Sequence, residues 1–319
     1  MLRILIFFCL ISQTLVGQRL LIEKSKSLFE SGSYANAKSI LKDIAKPSSE
    51  FAEAQYYLGR IATEEKQYEL AITYFESAAK TNPSSAEYHN WLGVLYGVVA
   101  MEANPIKQAY LAPKIKNEFE TAIVIEPTNI ATLWGLVHYY TQAPGFLGGS
   151  WQKAFDCAKA MGKMNCAQGL CASGFVHAAQ KQTALAEKEM LQAMKLDSTN
   201  FLTANYLAEF YEQEKQNEKA FLVYQKFLSR APLHRLALFN VGRHSARFGY
   251  QTTQGIRCLN LYLTKAAKPN EPSHSNAALC LAMIYEKQGD IPMAKSYYQN
   301  SLRLEPGLKE AEERLKRLN

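Results

Sequence analysis

Alanine recurs along this chain at a spacing that few folds can use. Ala37, Ala71, Ala154, Ala186, Ala220 and Ala294 each stand near the start of an amphipathic stretch. Two of the gaps, Ala37 to Ala71 and Ala186 to Ala220, are 34 residues. A fixed period of this size predicts one helical hairpin per repeat, which buries its apolar face only by stacking on the next copy. The expected class is all-α. No alternating apolar run flanked by hairpin turns argues for a sheet.

The segment Ala52 to Ser85 shows the repeat most completely. Leu58, Gly59 and Ala62 share one face of a first helix at 3.6-residue spacing, and Ala71, Phe75 and Ala78 share one face of a second. Small residues at positions 59, 71 and 78 fit a close helix crossing, where larger side chains would force the helices apart. Pro83, after Asn82, ends the unit. This pattern resembles the tetratricopeptide repeat. It recurs as Trp91, Leu92, Gly93 and Tyr96 with Phe119, Ala122 and Pro127; as Leu207, Ala208 and Tyr211 with Ala220, Tyr224 and Pro232; and as Leu281, Ala282 and Tyr285 with Ala294, Tyr298 and Pro306. Further units are read at Gln18–Ser49, Ala167–Asn200 and Arg235–Pro272, and one beginning near Ile130 has Tyr140 and Ala154 without a closing proline. The resemblance implies a right-handed superhelical solenoid of about eight helix-turn-helix units over residues 18–319. The charged segment Lys309 to Asn319 is suited to capping the last apolar face.

Two units are stretched. Gly93 to Ile115 spans 22 positions where the repeat has 12; in this insertion, near 97–113, Asn104-Pro105 and Ala112-Pro113 read as a helix end, a loop and a proline-started second helix. Val137 to Ala154 carries five extra residues. There Pro144-Gly145 and Gly148-Gly149 are turn chemistry, and Ser150 is placed to cap the next helix. This insertion, near 143–150, resembles one in a set of exported bacterial tetratricopeptide proteins of unassigned function.

The N-terminus reads as a secretory leader over residues 1–17. Arg3 supplies the positive region, Ile4 to Ile11 the apolar core, and Gly17 a small residue before Gln18. The apolar run is shorter than the roughly 20 residues of a spanning helix. The mature chain is therefore expected outside the cytoplasm, periplasmic or extracellular, without an integral membrane span; an uncleaved N-terminal anchor is the alternative. Loss of Arg3 lowers the formal net charge from +7 to +6. Lysine and arginine are spread over many helix faces and form no basic stripe with interleaved aromatics, so no nucleic acid partner is expected. Export permits disulfides. Without Cys9 five cysteines remain, an odd number. Cys258 and Cys280 sit where the repeat accepts small apolar residues, and Cys166 and Cys171 are close enough in sequence to consider a bridge. No metal-ligand spacing is present, and no metal or other cofactor is expected.

No nucleophile has a catalytic setting. Gly-x-Ser-x-Gly, His-Glu-x-x-His and phosphate-loop patterns are all missing from the sequence. Phe146 to Ser150 is glycine-rich but lacks the lysine and the buried strand of a phosphate loop. A non-enzyme is expected. The family resemblance implies that the first helix of each unit lines a concave groove. By that register the groove candidates are Tyr56, Arg60, Asn90, Trp134, His138, Asn205, Glu209, Asn240, Arg243 and Arg247. They supply aromatic, amide and guanidinium groups, which binding hot spots favour. The family's two-Lys, two-Asn, one-Arg clamp for a C-terminal carboxylate does not carry over, because the order of residues fails at Tyr56, Arg60, Asn205 and Glu209. Arg243 and Arg247, four apart on one face, are suited to holding a carboxylate. The expected partner is a protein or peptide in the groove. The alternative is an accessory role in a cell-envelope complex, docked through the convex face or through the insertion, where Tyr110-Leu111 reads as exposed apolar surface.

Overall fold

The computed structural model describes residues 17–44, 49–268 and 271–318. The leader reading, residues 1–17, lies outside the described residues apart from Gly17. Every regular element among the described residues is a helix. The chain divides into two compact units, Met1–Met164 and Asn165–Asn319.

In the first unit, α1 (17–30) pairs with α2 (Tyr34–Lys42), α3 (Ser49–Glu64) with α4 (Tyr68–Thr81), α5 (Ala86–Met101) with α6 (Pro105–Ile125), and α7 (Ile130–Gln142) with α8 (Trp151–Met164). In the second, α9 (Cys166–Ala179) pairs with α10 (Thr183–Leu196), α11 (Phe201–Gln213) with α12 (Asn217–Leu228), α13 (Arg235–Phe248) with α14 (Thr252–Leu263), and α15 (His274–Gln288) with α16 (Ile291–Leu304). These eight hairpins match the units read from the period, and α17 (Lys309–Arg317) packs on α16 with Ala311 buried. Within each unit the second helix of a hairpin also touches the first helix of the next.

The small residues sit at the crossings, as their size requires. A Cβ on Gly59 would lie 2.7 Å from the Phe75 ring. Phe119 of α6 is wedged more tightly: Cβ atoms on Gly93 of α5 and Gly135 of α7 would lie 2.7 and 2.5 Å from its ring. Ala71, Ala78, Ala122, Ala186, Ala220 and Ala294 are wholly buried. Several turns inside the hairpins use a left-handed residue. Gly32, Gly249 and Gly289 supply it at three turns, whereas Lys66, Lys181 and Lys215 adopt it with φ of 58°, 63° and 59°.

The stretched third hairpin differs from its sequence reading. The loop read between Asn104-Pro105 and Ala112-Pro113 is helix instead. Helix α5 runs on to Met101, and α6 starts at Pro105, with Asn104 accepting from the Lys107 N–H as its cap and Pro113 inside the helix. The extra residues extend the helices because Leu111 and Ala112 are buried and hold the segment onto its neighbours. Proline at the exposed 113 position forfeits one backbone bond without placing its ring in the core. The second insertion is the turn expected of it. Gly145–Leu147 forms one 3-10 turn, Gly148 has φ +96°, and Ser150 caps α8 by accepting from Lys153 N–H. Gly149 is obligatory here, since a Cβ would lie 1.7 Å from the Ala143 carbonyl oxygen.

Cys157, Cys166, Cys171, Cys258 and Cys280 are all free thiols. The considered Cys166–Cys171 bridge does not form: Cys166 is exposed and Cys171 is buried farther along the same helix. Burial pushes the Cys171 and Cys280 thiols up to about 12 and the Cys258 thiol to about 11. They behave as small apolar residues.

Candidate functional site

All ten groove candidates lie on first helices of their hairpins: Tyr56 and Arg60 on α3, Asn90 on α5, Trp134 and His138 on α7, Asn205 and Glu209 on α11, and Asn240, Arg243 and Arg247 on α13. Neighbouring first helices α5 and α7, α9 and α11, and α13 and α15 touch one another.

In the first unit the candidates form two linked groups. Arg60 lies with its guanidinium carbon 4.5 Å from the centroid of Trp91 and 5.1 Å from that of Phe29, rings contributed by α5 and α1. Its Nη1 donates to the Tyr56 hydroxyl at 2.7 Å, and that hydroxyl donates to Glu87 at 2.5 Å. Tyr56 is 6% exposed, and its ring stacks on Tyr88 at 5.3 Å. Burial pushes the Tyr88 phenol up to about 12, with Glu53 and Glu87 adding to it. Arg60 makes no ion pair with any described residue, although Glu64 is one turn along the same helix. The Glu64 carboxyl is raised above its ordinary range by burial. Arg60 is thus a half-buried, rigidly stacked cation, and its Nε, though buried, has no hydrogen-bond acceptor in the fold. In the second group, Thr132 of α7 donates to the Asn90 side-chain oxygen at 3.0 Å. Trp134 is 7% exposed and lies against His138, ring centroids 5.9 Å apart. Burial lowers the His138 pKa and favours the neutral imidazole.

In the second unit the candidates form a polar network. Asn205 donates to Glu209 at 2.8 Å and accepts from the Tyr224 hydroxyl at 2.9 Å. Arg243 donates through Nε to Asn240 and through Nη1 and Nη2 to both oxygens of Glu212, at 3.3 and 2.8 Å. Nε2 of the wholly buried His244 shares Glu212 at 2.9 Å. Hydrogen bonds from His244 and Arg243 outweigh the desolvation of Glu212 and hold its carboxyl at about 2. The reading of Arg243 and Arg247 as a matched carboxylate pair is therefore corrected. Arg243 is already engaged by a carboxylate of the preceding hairpin, because Glu212 on α11 faces it. Arg247 is exposed, with no ion pair to a described residue.

The sequence reading passed over Phe29, Trp91, Glu87 and Glu212. Glu87 and Glu212 stand, like the candidates, on first helices, α5 and α11. Phe29 and Trp91 look like ordinary core aromatics, and only the stacking on Arg60 distinguishes them. Tyr110-Leu111 of the insertion also divides: Tyr110 is 62% exposed, but Leu111 is 4% exposed and belongs to the core. Among the described residues no group of His, Cys, Asp and Glu is placed to hold a metal ion, and no helix is long and apolar enough to cross a membrane.

Comparison with known proteins places tetratricopeptide repeats at residues 28–95 and again at 280–307, where family models of that description match. No curated protein sequence matches the chain. Among solved structures, a tetratricopeptide repeat protein from Parabacteroides merdae is 14% identical with a TM-score of 0.49, the match covering 94% of this chain and 98% of that one. A thermophilic tetratricopeptide protein from Thermus thermophilus is 20% identical with a TM-score of 0.44, over 66% of this chain and 99% of that one.

Proposed function

We propose that this chain is a non-catalytic interaction scaffold that binds a peptide or an extended segment of a partner protein on the faces that its first helices form within each unit. Repeats of this kind generally mediate protein–protein contacts, and the local chemistry supports the same use here. The observation that carries the reading is Arg60. A guanidinium fixed between two aromatic rings, with no carboxylate of its own, is pre-organised for an acceptor brought by a partner. Arg247 offers a second unpaired cation on the other unit, and Glu209 of the same unit, hydrogen-bonded to the neutral Asn205, offers an acceptor. Trp134 and Tyr56 contribute rigidity more than contact, since both are nearly covered. The leader-like N-terminus supports action outside the cytoplasm.

The test is a displayed peptide library screened against the chain from Gln18 onward, with the enriched peptide then titrated calorimetrically. Arg60→Gln or Arg247→Glu is expected to weaken binding by about tenfold, equivalent to ~1.4 kcal/mol, with the helical signal unchanged. Lys188→Glu, on the exposed surface of the second helix α10, is expected to leave it unchanged. Affinity that survives both arginine changes would defeat the groove reading. A second reading, docking through the third hairpin, rests on Met101 and Ile106 at its tip, 81% and 84% exposed. Loss of binding in Ile106→Glu alone would favour it.

A further inference from the structure

A three-residue arrangement recurs at three hairpin joints. At the first, the Tyr96 hydroxyl of α5 donates to Glu76 of α4 at 2.6 Å, while the Lys114 ammonium of α6 lies 5.2 Å from the centroid of the Tyr96 ring. At the second, Tyr140 of α7 donates to Glu120 of α6 at 2.7 Å, and Lys153 of α8 lies 5.3 Å over its ring. At the third, in the other unit, Tyr211 of α11 donates to Glu187 of α10 at 2.8 Å, and Lys219 of α12 lies 5.0 Å over its ring. In each case the tyrosine stands on a first helix, the glutamate on the second helix of the preceding hairpin, and the lysine on the second helix of its own. Lys153 and Lys219 also reach the same glutamates, at 3.9 and 3.0 Å. All three tyrosines are 5% exposed.

The sequence spacing shows that this geometry is held against disruption. Tyrosine and lysine are 8 residues apart in the regular unit (Tyr211 to Lys219), 13 apart where five residues are inserted (Tyr140 to Lys153), and 18 apart where ten are inserted (Tyr96 to Lys114). The excess equals the insertion each time, so both insertions leave the lysine on its ring. Among the described residues the other joints lack the set. The equivalent residue is Ser245 in α13, and in α15 it is Tyr285, which stacks on Tyr297 at 5.5 Å and donates no side-chain hydrogen bond to a described residue.

We propose that these lysine–tyrosine–glutamate clasps are the fastenings that fix the angle between successive hairpins, and that they divide the chain's joints into fastened and unfastened kinds. A nearly buried phenol that donates to a carboxylate is directional in a way that apolar packing is not. The lysine above the ring holds the phenol's orientation and balances the carboxylate. The tyrosine–glutamate hydrogen bond crosses from one hairpin to the next, so its loss frees a joint without melting the helices on either side.

Hydrogen–deuterium exchange on the full chain tests this. Tyr96→Phe, Tyr140→Phe and Tyr211→Phe keep the ring and remove the donor. Each is expected to speed exchange roughly tenfold in the two helices flanking its own joint, the scale of one charge-assisted hydrogen bond, with helices of distant joints unchanged. Lys219→Gln, at a half-exposed position that does not threaten folding, is expected to act in the same direction at the α10–α11 joint but less strongly. Tyr285→Phe is the control and is expected to change nothing. Unaltered exchange at all three joints would overturn the proposal. So would a Tyr285→Phe effect as large as the others, because apolar packing would then account for both.

Discussion

Gly93 and Gly97 lie one turn apart on α5, and their environments are opposite. A Cβ at 93 would meet the Phe119 ring at 2.7 Å, whereas a Cβ at 97 would meet nothing within 4 Å. Both Gly→Ala changes gain the same helix preference, about 0.8–1.0 kcal/mol. Gly97→Ala is therefore expected to stabilise by about that amount. At 93 the gain is opposed by overpacking, about 1–3 kcal/mol. The ring has no easy escape, because moving off Gly93 drives it toward Gly135, where the corresponding distance is 2.5 Å. The difference between the two variants cancels the backbone term and isolates the clash, so Gly97→Ala should exceed Gly93→Ala by about 1–3 kcal/mol. Denaturant unfolding followed by far-ultraviolet circular dichroism measures it. Adding Phe119→Leu should recover part of the Gly93→Ala loss. If Gly93→Ala proves as stable as Gly97→Ala, the close crossing of α5 on α6 is refuted.

Three other expectations follow from particular contacts. Glu212→Gln should destabilise the chain at neutral pH by about 2–3 kcal/mol, since Arg243 and His244 lose a charged acceptor. The folded carboxyl is depressed to about 2, so its contribution is present above the unfolded glutamate pKa and is lost as pH falls toward 2; the two chains should converge in acid, and a constant gap would contradict the assignment. Pro113→Ala should stabilise α6 by roughly 1–3 kcal/mol, because it restores a backbone donor inside a helix; a lower melting temperature would refute this. In a chain beginning at Gln18, thiol titration should show Cys166 reacting first and Cys171, Cys258 and Cys280 only on denaturation; thiols missing even then would reveal a disulfide.

The hairpins were legible in the sequence because their signals are local. Gly59 and Ala71 mark a crossing, Pro83 marks an end, and Ser150 marks a cap. The start of α6 was misplaced for a physical reason. Asn104-Pro105 and Ala112-Pro113 both carry helix-start chemistry, and burial of Leu111 and Ala112 decided between them. The first-helix positions of the candidates follow from the same period. Their partners do not. Arg243 meets Glu212 across a hairpin joint, 31 residues back in the chain, and Arg60 stacks on rings from two other hairpins. Such pairings depend on side-chain reach between stacked units, which periodicity leaves open.

The account stands or falls on which face a partner touches. A photoreactive side chain placed in turn at Asn90 and Arg247, on first helices, and at Lys80 and Lys188, on second helices, reports this directly when the library-selected peptide is bound. Cross-links at 90 or 247, with none at 80 or 188, are the predicted result. Cross-links confined to the second helices, or appearing only with the probe moved to Ile106, would contradict it.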